Sequence, residues 1–268
     1  MIFNKQILFP LLLVAAICAC KKNDGNPPVG PVNSDLQYTD SVFYVTGQPQ
    51  DYIVMPVKAL VGTYGGFPDG IDIDEKTGAV NVSKSETGLK YIITFIPAGK
   101  ADTLFTFVTI SGINYLDGFY KLNTADSVAQ PLYNANRGAA IPGVGSGSSF
   151  DVGSGCNSQG CNVLPVNGGI NLAQTVRNGV FGKEPANNDR HEFELVYSVN
   201  DRSNKATNKL NVKLYYFKTM ADVTQEAFDI IASRQGTIIN AANPPALSLA
   251  VKRKAAKPRP PCIFIVGG

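Results

Sequence analysis

Two cysteines stand with four residues between them in Gly155-Cys156-Asn157-Ser158-Gln159-Gly160-Cys161. Paired thiols can oxidise to a disulfide, exchange disulfides or bind a soft metal. Redox exchange uses the shorter Cys-x-x-Cys spacing. A zinc site needs about four nitrogen or sulfur ligands, and outside the N-terminal run that holds Cys18 and Cys20 only His191 and Cys262 remain as further soft candidates. No metal site is therefore expected. Four intervening residues with Gly155 and Gly160 allow a turn that closes the gap a disulfide spans, about 4.4–6.8 Å between Cα atoms. In an oxidising compartment the expectation is a Cys156–Cys161 disulfide pinning a loop. Cys262 lies in an apolar run and reads as a small core side chain. The sequence leaves the connectivity among Cys156, Cys161 and Cys262 open.

The other chemistry-bearing residues are scattered. His191, the sole histidine, sits in Asn188-Asp189-Arg190-His191-Glu192. Successive residues of a strand point in opposite directions, and no Gly-x-Ser-x-Gly nucleophile elbow accompanies it. It reads as an exposed residue at a strand start. Asp69, Asp72 and Asp74 are close together, but calcium takes six to eight oxygens. Asp72 and Asp74 alternate with Ile71 and Ile73, which places them on the solvent side of a strand. No catalytic residue, metal or cofactor is expected from these patterns.

The N-terminus sets the location. Lys5 precedes a charge-free run from Ile7 to Ala19. That is shorter than the roughly 20 apolar residues a membrane span needs and suits the core of a secretory signal. The run ends in Ile17-Cys18-Ala19-Cys20, which resembles a bacterial lipobox: an apolar residue, two small ones, then an obligatory cysteine. The resemblance implies a lipoprotein signal peptide over 1–19, cleavage before Cys20 and acylation of Cys20, with the lipid bilayer as partner. Several acyl chains on one residue would hold durably. Residues 20–35 carry three prolines and read as a flexible tether. The expected location is the outer membrane, with the periplasmic or cell-surface side open.

Net charge is +3 and charged residues make up only 17% of the chain, so no nucleic-acid partner is expected. Tryptophan is absent, which weighs mildly against a sugar-stacking site, although 11 tyrosines can substitute.

The elements that must carry these residues read as mostly β. From 36 to 112, short runs rich in β-branched and aromatic residues recur between turn residues: Val42–Val45, Tyr52–Val57, Val80–Val82, Tyr91–Ile96 and Thr103–Ile110. At their centre, Pro68-Asp69-Gly70-Ile71-Asp72-Ile73-Asp74-Glu75-Lys76-Thr77-Gly78-Ala79-Val80 precedes Gly88-Leu89-Lys90-Tyr91. This resembles the hairpin of cadherin-like and bacterial immunoglobulin-like domains and implies a small sandwich. Locally, Asp74 can cap the turn and Gly78 can supply positive φ.

Residues 113–268 read as a second β-rich domain. It opens with a possible strand at Asp117–Leu122 and a long Gly/Ser/Asn loop from Ala135 to Gly169. A hairpin of Glu192–Val199 and Lys209–Phe217 follows, then a helix near 222–234 with Asp222 as its cap. Ala246–Val251 is a further strand candidate and Lys252–Pro261 a basic connection. Cys262–Val266 looks like a buried terminal strand.

The functional expectation is a non-enzymatic binding or adhesion module at the cell envelope, with Asn157, Ser158 and Gln159 as its contact loop. A second reading is an accessory glycan-binding lipoprotein of an outer-membrane uptake system, which exposed aromatics on the distal domain would favour. A third is a secreted hydrolase, which needs two acids, or a nucleophile and His191, within reach of each other.

Overall fold

The computed structural model describes residues 35–124, 127–234 and 260–268. The segment read as a signal peptide, Cys20, the stretch before Asp35 read as a tether, the strand read at 246–251 and the basic run Lys252–Arg259 lie outside the described residues. The chain is mostly β.

Its first unit holds β1 (Val42–Phe43), β2 (Ile53–Val54), β3 (Gly62–Phe67), β4 (Val80–Asn81), β5 (Leu89–Pro97) and β6 (Leu104–Ile110). Four of them form a sheet in the order β1-β6-β5-β3, and β2 pairs with β4. Val54 and Val80 of the small sheet share a core with Tyr91, Ile93, Val108 and Ile110 of the large one. Two layers over one core make a small sandwich. The first strand runs parallel to the last, Val42 opposite Thr109.

The central hairpin behaves as its residues dictate. Ile71 is buried while Asp72 and Asp74 are exposed. The Asp74 carboxylate accepts from the backbone N–H of Lys76 and Thr77 at 3.0 and 2.7 Å and from the Thr77 hydroxyl at 2.8 Å. Gly78 takes φ +71 and donates to the Asp74 carbonyl. An Asx-type cap followed by a left-handed residue reverses the chain here.

β3 escapes a reading by hydrophobic pattern because Gly-Thr-Tyr-Gly-Gly-Phe looks like a turn. The glycines have a packing reason. A side chain at Gly62 would collide with the Ile96 carbonyl and the Phe95 ring, and one at Gly66 with Ile71. At Gly62 β3 lies tightly along β5, at Gly66 it passes close under Ile71, and glycine permits both approaches.

The second unit opens with β7 (Ile113–Asn114), β8 (Gly118–Lys121), β9 (Val128–Ala129), β10 (Leu132–Tyr133) and β11 (Ser149–Phe150). Then come α1 (Gly155–Ser158), β12 (Ile170–Asn171), α2 (Leu172–Arg177), β13 (Asp189–Ser198), β14 (Thr207–Phe217), α3 (Gln225–Arg234) and β15 (Cys262–Val266). Its main sheet runs β11-β13-β14-β15-β8. β13 and β14 are antiparallel with Glu192 opposite Lys213, whereas β15 runs parallel to both β14 and β8. Parallel pairing needs a long crossover, and α3 lies within the one that links β14 to β15.

Strand alternation splits the core in two. On one face, Leu210, Val212, Leu214, Ile263 and Ile265 join Phe193, Leu195 and Tyr197. On the other, Tyr215, Phe217, Cys262 and Phe264 meet Ala227, with Val223, Ile230 and Ile231 packed beside them. The terminal strand, expected to be buried, is buried at all five positions and sits inside the sheet rather than at its edge.

Two local expectations are corrected. The helix near 222–234 starts later, at Gln225. Asp222 closes a separate 3₁₀ turn, Met220–Asp222, where its carboxylate takes the Thr219 N–H and hydroxyl at 3.0 and 2.7 Å. A capping box to Thr219 outcompetes service as the cap of α3. The long glycine-rich loop also contains a helical turn, α1, built around Cys156. Among the described residues no helix is long and apolar enough to cross a membrane.

Candidate functional site: a cleft between the two units

The units meet through buried polar bonds. The Thr87 and Tyr197 hydroxyls lie 2.6 Å apart, and Ile113 N–H donates to the Tyr197 oxygen at 3.2 Å. Asp201 accepts from the Ser111 and Tyr133 hydroxyls at 3.1 and 2.7 Å. Glu86 accepts from the Asn114 side-chain amide at 2.8 Å. Leu132 and Ala135, from beyond residue 112, pack into the core of the first unit.

Beside this seam lies a cleft of about 590 Å³, within the usual range of ligand sites. Phe43, Tyr44 and Tyr52 give it aromatic faces, Asp40, Asp51, Gln48 and Gln50 give it acceptors and amides, and Arg202 reaches in from the second unit. β1 positions Phe43, whose ring meets Tyr52 edge-on with centroids 6.2 Å apart. The loop carrying Tyr52 is stitched down by Tyr52 N–H donating to the Ser83 hydroxyl at 2.9 Å and by Asp51 pairing with Lys84 at 2.7 Å. Arg202 lies over the Tyr44 ring at 5.1 Å and 3.5 Å from the Asp40 carboxylate. Its side chain is still 72% exposed.

Both carboxylates are held below the ordinary range. For Asp40 the main causes are the backbone N–H groups of Val42 and Ser41, with Arg202 adding to them. For Asp51 they are the hydrogen bonds from Lys84 and Asn81. Such groups stay ionised and accept hydrogen bonds; a general acid would need its pKa raised instead. Next to Tyr52, Ile53, Met55, Val57 and Val61 are exposed, Val61 to 83%.

No protein-family model matches this chain, and no curated protein matches it. Among solved structures it is similar to one described as "Crystal structure of Drosophila N-cadherin EC1-4", at TM-score 0.21 and 10% identity, covering 67% of this chain and 48% of that one. The chain thus spans about half the length of that protein. A likeness at this level leaves the site to be read from the chain's own residues.

The residues singled out in the sequence lie apart from the cleft. Cys156 and Cys161 are free, buried thiols in α1 and just after it. Asn157 is half-buried, its amide engaged by Asp151 at 2.6 Å and by the Val163 carbonyl at 3.0 Å. Ser158 and Gln159 are exposed, and both donate to the Gly155 carbonyl. The contact loop is therefore a built turn. Cys262 is buried on the opposite face of the main sheet. His191 is exposed on β13, its ring 5.5 Å from Phe181 and 6.2 Å from Phe193. Among the described residues no three His, Cys, Asp or Glu converge as a metal-binding group.

Sequence reading missed the cleft because the way 39–52 folds back on itself is not written in its pattern, and Arg202 joins it only by the docking of the two units. Aromatics were sought on the distal domain, whereas those of the cleft come from the first unit. The one usable signal was the cluster Phe43-Tyr44 followed by Tyr52 near alternating acids and amides.

Proposed function

We propose that this chain is a lipid-anchored outer-membrane protein that acts as a non-enzymatic binding or adhesion module, with its ligand seated in the cleft of Asp40, Tyr44, Tyr52 and Arg202. The observation that carries the reading is that cleft: a concave site of ligand size, with ionised acceptors and a largely exposed guanidinium held beside aromatic faces. The anchor is Cys20, on the resemblance of residues 17–20 to a lipobox.

The lining also favours a second, narrower reading, an accessory glycan-binding lipoprotein. Tyr44 and Tyr52 offer faces for a sugar ring. Gln48, Gln50, Asp40 and Asp51 offer the donors and acceptors that hydroxyl groups need.

A glycan array probed with the full chain in detergent separates the two. Binding to one polysaccharide class, reduced at least tenfold in Tyr44→Ala and Arg202→Ala, supports the glycan reading. Silence across the array removes it and leaves a protein ligand for the cleft. The anchor is tested by intact mass: a chain beginning at Cys20 and carrying acyl chains is expected, and an unlipidated Cys20 would overturn it.

A further inference from the structure

Cys156 and Cys161 occupy the two positions of a helix stop whose side chains commonly meet. α1 is capped by Gln159, and Gly160 just beyond it takes φ +89. Gly160 N–H donates to the Asn157 carbonyl at 3.0 Å, and Cys161 N–H donates to the Cys156 carbonyl at 3.0 Å. These are the 5→2 and 6→1 bonds of a Schellman motif. Cys156 is three residues before the cap and Cys161 two after it, the pair that this stop brings into side-chain contact. Elsewhere such contacts are apolar. Here both members are thiols, each 1% exposed in the same core.

The start of α1 is fixed separately. The buried Asp151 carboxylate accepts from Cys156 N–H at 2.8 Å and from Asn157 N–H at 2.9 Å. The Cys156 sulfur rests on the Glu194 carbonyl of β13 at 3.5 Å. Residue 156 is thus held from three sides and faces Cys161. Cys262 cannot compete. It points with Phe264 to the α3 face of the sheet, while Ile263 and Ile265 point to the face that holds Cys156 and Cys161.

We infer that Cys156 and Cys161 are a covalent modification site that closes to an intrachain disulfide, with a small-molecule or protein disulfide as oxidant. One cysteine thiolate attacks a sulfur of the oxidant, forming a mixed disulfide and releasing one thiolate. The second thiolate attacks the cysteine sulfur of that mixed disulfide and releases the other. Two protons and two electrons leave the pair, and the oxidant becomes two thiols.

In the folded chain, the hydrogen bond with Cys161, burial and the Asp151 carboxylate hold the Cys156 thiol far above its ordinary range. Thiolate is scarce there, so the bond forms while the turn is still open during folding. The closed ring then fixes the turn at the end of α1, and the Cys156 S–H that met the Glu194 carbonyl is given up. The inference stands independently of the export reading, because the test supplies the oxidant.

The full chain is reduced, unfolded and refolded in oxidised glutathione, then denatured and alkylated with iodoacetamide. Peptide masses are expected to show Cys156 and Cys161 together, unalkylated and lighter by two hydrogen atoms, with Cys262 alkylated. Cys262→Ser is expected to keep the cross-link, and Cys161→Ser to leave Cys156 open to alkylation. Native reduced protein is expected to oxidise at least tenfold more slowly than the refolding chain. Alkylation of Cys156, Cys161 and Cys262 alike in the refolded wild type, or a link that joins Cys156 or Cys161 to Cys18, Cys20 or Cys262, overturns the inference. Where a variant does not fold, the wild-type masses decide alone.

Discussion

The Tyr197 hydroxyl, fully buried, holds the Thr87 side chain and the Ile113 backbone N–H at once. Tyr197→Phe leaves both partners short inside the protein, where an unsatisfied group costs about 1–3 kcal/mol. Burial also pushes Tyr197 up to about 12 from its usual 10.0. Its raised folded pKa means that stability is fully present below pH ~10. Above that the unfolded chain ionises first, and stability falls until about pH 12. A gap of two units is worth at most about 3 kcal/mol. Denaturant midpoints across this range should fall steeply for the wild type and less for Tyr197→Phe; parallel curves would show that other groups drive the loss. Arg202 contrasts with Tyr197. Its ion pair with Asp40 is exposed and is worth about 0–1 kcal/mol. Arg202→Ala should leave the melting temperature almost unchanged while weakening ligand binding, and a large drop in melting temperature would recast Arg202 as structural.

At the scale of elements, β15 and the stop of α1 make the clearest demands. β15 lies between β14 and β8, so its removal strips β14 of one neighbour and leaves β8 with none in the sheet. Phe264, wholly buried, stacks on Tyr215 at 4.6 Å and contacts Phe119 at 5.5 Å. Phe264→Ala should cost about 3–5 kcal/mol in guanidinium unfolding, a large share of a typical domain's 5–15. Gly160→Ala places a Cβ-bearing residue at φ +89, where only glycine is at ease. The cost should be about 1–2 kcal/mol by the same measurement. A neutral result would mean that the turn reorganises without its Schellman bonds.

Across the whole molecule, the two units share bonds and core. Leu132 and Ala135 complete the first core, and Asp201 ties Ser111 to Tyr133 across the seam. The chain should therefore melt in one calorimetric transition, and a protein stopped after residue 112 should unfold at lower denaturant. Two resolved transitions would show the seam to be weak.

What could be read in advance was local. The Asp74–Gly78 turn, the β13–β14 alternation and the burial of Cys262–Val266 all follow from residue type and from periods of two along a strand. The wider texture, mostly β with a small sandwich first, follows from the repeated apolar runs. β3 was illegible because Gly62 answers to Phe95 and Ile96, distant in sequence, and Gly66 to Ile71 across the turn that follows. Asp222 looked like the cap of α3 until its neighbour Thr219 claimed it. The cleft needed residues 40–52 and 202 to meet, and the relation of the three cysteines needed a sheet between them. The sequence alone determined the local turns and the strand character, because each depends on neighbours in the chain. The tertiary structure decided which face each cysteine occupies and that a cleft exists, because both arise where distant segments pack.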